Sequence, residues 1–229
     1  MKLLLAISVA APFLQTAVSQ QLGWVYPYDS MVLSAKCLSV LNTTIPECSP
    51  ALMKNAPMPE IGYDILDSET LNEVCHESCH NSLKEFRPKV VSACNTEMDA
   101  VAFSYKNTVF PPTYMVDLLL LSYEVYCYRD RDTKKFCDLQ LAEWRNYRKS
   151  DKPSRCEDCL LGPQRVQLQA PIGYDQDDAY KFRYLTSSCS ATGYEYVTPT
   201  QYTTKSTDCS GSGDHDGYIV VPRLHLPQE

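Results

Sequence analysis

The chain has 229 residues, of which 21% are charged and 44% hydrophobic, and a formal net charge of -7. That acidity argues against nucleic acid and against anionic membrane surfaces as partners, because both recruit Lys and Arg. Eleven cysteines survive any N-terminal processing, and in an oxidising compartment that density means structural disulfides before free thiols.

The opening "MKLLLAISVAAPFLQTAVSQ" places Lys2 before a run, residues 3–14, that is apolar or small throughout. The run is too short to span a bilayer, and Ala17-Val18-Ser19 supplies the small residues of a cleavage site. Residues 1–19 therefore read as a secretory signal peptide. Its removal takes one charge, Lys2, and moves the net charge to about -8. Residues 20–200 are ample for a core in one or two domains.

The elements that follow read as helical. "MVLSAKCLSVL" from Met31 has helical spacing. Asn42-Thr43-Thr44, before Pro46, is the sequence's one N-glycosylation sequon. Ser68 can cap a helix that begins "ETLNEV", with acidic residues where the helix dipole favours them. Pro111-Pro112 suits a helix start before the run "MVDLLLLSYEVYCY", which Asp117 and Glu124 keep from being a membrane span. "LAEWRNYRK" from Leu141 is amphipathic with a basic end. "DQDDAYKFRYLTSSC" from Asp175 starts acidic and carries Tyr, Phe and Leu at helical spacing. Strand signals are weak. From Thr198 the composition turns to Thr, Ser, Gly and Pro, so residues 201–229 read as a linker-like, disordered tail.

"LNEVCHESCHNSL", residues 71–83, fits two chemistries. His76-Glu77-Ser78-Cys79-His80 matches H-E-x-x-H, which on a helix sets two imidazoles on zinc with the Glu as base. The same stretch carries Cys75 and Cys79. On one helix over residues 68–86, Leu71, Val74, Cys75, Cys79, Leu83 and Phe86 form the buried stripe. His76 and His80 then lie about 100° further round, on an outer polar face. A zinc protease also needs a third ligand and an open position. The remaining histidines, His215 and His225, fall in the tail, and Glu97 is the best acidic candidate. The cysteine reading is therefore preferred: no metal, no cofactor and no catalytic residue is expected. A zinc site of His76 and His80 with Glu77 is kept as the alternative. "GDHDG" at Gly213 lacks the Glu of a calcium loop. "CEDC" at Cys156 in a secreted chain without a βαβ pattern reads as structural. The 16 tyrosines, among them Tyr26, Tyr28, Tyr174, Tyr180 and Tyr184, could stack on sugars or simply pack.

Cysteine order is the strongest pattern. Cys37 and Cys48 are followed by the close pair Cys75 and Cys79, then by Cys94. Cys127 and Cys137 are followed by the close pair Cys156 and Cys159, then by Cys189. This suggests two diverged five-cysteine units, at about residues 30–98 and 112–192. Five cannot pair fully within a unit, so an odd number of bridges must cross between them if all ten are oxidised. Cys37 to Cys48 and Cys127 to Cys137 look like local clips. Cys209 stands outside both units and is expected to be unpaired and exposed. The class expected is a mainly α, small, disulfide-rich helical domain.

"CEDCLLGPQRVQLQAPIGYDQDDAYKFRYLTSSCSATGYEYVTPTQY", Cys156 to Tyr202, resembles the cysteine-rich region that precedes the LysM modules of secreted fungal LysM proteins. The matching residues are Cys156, Cys159, Leu160, Gln167, Leu168, Pro171, Gly173, Tyr174, Ser187, Ser188 and Cys189, and the likeness extends over roughly residues 25–205. The resemblance implies a secreted, non-catalytic protein associated with chitin or related N-acetylglucosamine oligosaccharides at a cell wall. It also implies a LysM module starting near Cys209. The sequence there reads "CSGSGDHDGYIVVPRLHLPQE", without that module's Tyr-x-Val and Gly-Asp-Thr pattern, so no glycan-binding residue is carried over. A protein-binding effector or inhibitor is a further alternative.

Overall fold

The computed structural model describes residues 31–56, 63–105, 108–145 and 154–200. The expected signal peptide, Tyr26, Tyr28, Cys209, His215, His225 and the expected tail over 201–229 lie outside the described residues. Eight α-helices are described: α1 Ala35–Leu41, α2 Pro50–Asn55, α3 Ser68–Val74, α4 Glu77–Ala93, α5 Tyr114–Tyr126, α6 Cys137–Arg145, α7 Asp158–Gln169 and α8 Gln176–Ser188. A two-stranded antiparallel hairpin, β1 Phe103–Tyr105 and β2 Thr108–Phe110, pairs Phe103 with Phe110. The weak strand signal of the sequence concealed it because each strand has three residues.

Helix starts follow side-chain chemistry. Ser34 accepts from the Cys37 N–H and caps α1. Asp67, rather than Ser68, caps α3 by accepting from the Thr70 N–H, which leaves Ser68 inside the first turn. Asp175 caps α8 by accepting from the Asp177 and Asp178 N–H groups. Each such cap satisfies donors that the helix leaves unpaired and stabilises it by about 1 kcal/mol.

α5 is the axis of the fold. It is buried on every side but that of Leu120 and Glu124, the mark of a helix surrounded by protein. Met115, Leu118, Leu121 and Val125 face a core with Leu33, Cys37, Val90 and Val166. Val116, Leu119, Tyr123 and Tyr126 face a second core with Leu52, Leu71, Val74, Cys79 and Leu83. Burying each such leucine contributes about 1.5–3 kcal/mol. The charge at Asp117 is accommodated by Arg87 of α4, whose Nε donates to Asp117 Oδ1 at 2.5 Å. An uncompensated carboxylate there would be costly.

Five disulfides staple these elements: Cys37–Cys94, Cys48–Cys79, Cys75–Cys127, Cys137–Cys159 and Cys156–Cys189. The short clips Cys37–Cys48 and Cys127–Cys137 do not form. Cys37 lies on the buried face of α1 and meets the end of α4 instead. Cys127 closes α5 and Cys137 opens α6. Their strands approach through the Arg129–Phe136 bridge, yet their sulfurs reach α3 and α7. Cys75–Cys127 is the one described bridge between the two runs of five cysteines.

Candidate functional site

The H-E-x-x-H stretch begins at a helix break. α3 ends at Val74, and His76 is the extended N-cap of α4, at φ -92° and ψ 128°. The single helix expected over residues 68–86 is therefore two helices, while the His80 N–H still donates to His76 O at 3.3 Å, so the two histidines stand one turn apart at the start of α4. His76 is exposed. The His80 ring stacks on Tyr123 at 4.8 Å and 4°, and its Nε2 lies 3.3 Å from Glu124 Oε1. His80 is thus partly buried against α5 rather than ornamental on an outer face. Among the described residues no group of three His, Cys, Asp or Glu side chains is placed to hold a metal ion.

A second arrangement is built around α8. Ala179 and Phe182 on its inner face pack against Leu161 and Leu168 of α7 and against Tyr194. Its C-terminus is fixed by Cys156–Cys189. The extended stretch that follows folds back: the Tyr196 ring meets Phe182 edge-on at 6.0 Å, and Tyr194 is buried. Tyr194 Oη donates to Asp158 Oδ1 at 2.8 Å, and the Arg131 guanidinium sits 4.0 Å from the Tyr194 ring centroid. Asp158 also accepts from the Arg131 N–H and Nε, both at 2.7 Å. Burial and the neighbouring Asp158 carboxylate push the Tyr194 phenol up to about 12, so it stays a donor across the neutral range.

With that inner face secured, the outer face of α8 is left to solvent. Tyr180 is 67% exposed and Tyr184 73% exposed. They stand four residues apart, so their Cα atoms are about 6 Å apart along the axis and the two side chains share one side of the helix. Asp177 and Lys181 lie beside them, with Lys181 Nζ donating to Asp178 Oδ1 at 2.9 Å. Large side chains this exposed on a pinned helix are what recognition surfaces use. Of the tyrosines named from sequence, Tyr174 instead packs against the third core. Helical spacing placed Tyr180 and Tyr184 on α8, but only the packing of Ala179 and Phe182 tells which face is outward.

Residues 25–160, more than half of the chain, match the family model described as the secreted LysM effector N-terminal domain. The chain belongs to that family. Over 191 residues, 83% of this chain, it is 28% identical to a secreted LysM effector of Pochonia chlamydosporia (strain 123). The aligned stretch is 21% of that relative, so the chain spans about a fifth of its length. No solved structure matches. Membership of this secreted family agrees with the cysteine pattern, and among the described residues no helix is long and apolar enough to cross a membrane. The match ends near the start of α7, so α8 and its tyrosines lie beyond the portion that the LysM effector N-terminal domain model describes.

Proposed function

We propose that this member of the LysM effector N-terminal domain family is a non-catalytic, wall- or glycan-associated protein that binds chitin or related N-acetylglucosamine oligosaccharides on the outer face of α8. The observation that carries the reading is the exposed pair Tyr180 and Tyr184 on a helix whose inner face is locked. A tyrosine ring offers an apolar face to the C–H face of a sugar and a hydroxyl to its polar edge, at little conformational cost. Two tyrosines whose Cα atoms are about 6 Å apart along a helix can meet neighbouring sugars of an extended chain. The likeness to a secreted LysM effector of Pochonia supports the setting.

The test is retention of the secreted chain on insoluble chitin, with titration by a soluble chitin hexamer. The wild type is expected to be retained. Tyr180→Ala/Tyr184→Ala should weaken binding at least about tenfold, while thermal stability shifts by no more than about 0.5 kcal/mol because both sites are exposed. A wild type that passes through unretained, or a double variant that binds as well, would overturn the reading. Failure on glycan combined with specific capture of a protein would favour the protein-binding alternative.

A further inference from the structure

We infer that Asn42 Nδ2 carries an N-linked oligosaccharide in the secreted protein. The sequon Asn42-Thr43-Thr44 supplies the recognition chemistry. The structure supplies the geometry. Asn42 is the C-cap of α1, at φ -81° and ψ 2°; its backbone N–H donates to Leu38 O, and the Thr43 N–H donates to Val40 O. The helix ends there, and the chain leaves through Thr43, which is exposed, toward exposed Pro46 and Glu47. No helix or strand follows until α2 at Pro50.

The amide itself is oriented. Asn42 is half-buried, and its Oδ1 is turned inward without a hydrogen-bond partner. A buried, unpaired carbonyl oxygen is uncommon and costs about 1–3 kcal/mol. The flanking bridges Cys37–Cys94 and Cys48–Cys79 fix both ends of this stretch, so the attachment point has one location on the folded surface.

The covalent step is a glycosyl transfer from a lipid diphosphate-linked oligosaccharide in the secretory route. The bond from C1 of the first sugar to the diphosphate oxygen breaks. Nδ2 bonds to C1 and loses one proton, and the lipid diphosphate departs with the electron pair. No oxidant or reductant is needed.

Secretion of the full chain from a eukaryotic host, with intact mass measured before and after a peptide N-glycosidase, tests this. The wild type and Thr44→Ser should lose mass on treatment, and peptide mapping should find Asn42 converted to Asp. Asn42→Gln and Thr44→Ala should show neither change. Thr44→Ala retains the asparagine, so a folding defect of Asn42→Gln cannot mask the result. A wild type secreted without a removable glycan, or a glycan that persists in Thr44→Ala, would overturn the assignment.

Discussion

Tyr194 Oη donates to Asp158 Oδ1 at 2.8 Å, and this bond ties the extended stretch after α8 to the first turn of α7. The same carboxylate accepts from Tyr128 Oη at 3.2 Å and from two nitrogens of Arg131. Tyr194→Phe keeps the ring against Arg131 and removes one donor from a carboxylate that retains three. The expected loss is about 1 kcal/mol, confined to the docked stretch. Amide exchange over residues 190–196 should accelerate roughly fivefold while the global melting temperature barely moves. Unchanged exchange there would mean that Cys156–Cys189 alone holds the segment.

The bridge Cys75–Cys127 spans 52 positions. Its removal in Cys75→Ser/Cys127→Ser should cost about 3–4 kcal/mol in the chain-entropy picture. Unfolding should nevertheless remain one cooperative transition, because α5 inserts side chains into both large cores. Denaturant titration followed by two probes decides this. Two separated transitions would mean that the bridge, and not the packing, unites the two halves.

The class of fold was legible because its signals are local. The apolar run from Tyr114, the acidic start at Asp175 and the spacing from Met31 each lie within a few turns, and α5, α8 and α1 stand there. The helix break at Cys75–His76 was not legible. On a continuous helix Cys75 and Cys79 point the same way, whereas their partners Cys127 and Cys48 belong to different elements. The break is a tertiary requirement, and no local propensity announces it. Pairing was hidden for the same reason: spacing suggests short loops, and the sulfurs close long ones. The candidate site was half legible. Periodicity assigns Tyr180 and Tyr184 to one side of α8, yet among 16 tyrosines composition does not distinguish a ring in water from one in the core.

Gly162 sits within α7, where glycine is about 1 kcal/mol less favourable than alanine. The reason for it is Tyr128. A Cβ at this position would collide with Tyr128 Cζ, so the ring lies directly on the helix backbone. Gly162→Ala should therefore destabilise by about 1–2 kcal/mol net, since overpacking outweighs the gain in propensity. With Tyr128→Ala in place the sign should reverse, and Gly162→Ala should stabilise. A double-mutant cycle measured by thermal melting gives the answer, and additive effects would show that the ring is not what excludes a side chain.

Asp138 offers a pH test. It is buried at the start of α6, and its Oδ2 accepts from the Leu66 N–H at 2.8 Å across 72 positions. Burial pushes its carboxyl up to about 6, with the Leu66 N–H and Arg145 opposing that rise, and its charge in turn helps hold the Tyr126 phenol high. The unfolded value is about 3.9, so the folded chain holds this proton more tightly. The contribution to stability is then fully present below about pH 4 and is lost as the pH rises through about 6. Asp99 and Asp130 work the other way. Burial would raise both, but hydrogen bonds from Thr96 and Ser34, and from Thr133 and Asp132, outweigh it and hold them low. Whole-protein stability against pH therefore mixes opposite signs, and a single substitution is needed to isolate one. Asp138→Asn keeps a carbonyl oxygen for the Leu66 N–H and cannot ionise. It should stabilise the protein at pH 7 by about 1–2 kcal/mol, discounted for partial solvent screening, and the gain should vanish toward pH 4. Melting temperatures of the two proteins across that range measure it. A gain that does not depend on pH would place the effect in packing, and a loss at pH 7 would mean that the ionised carboxylate is what holds the Leu66 segment in place.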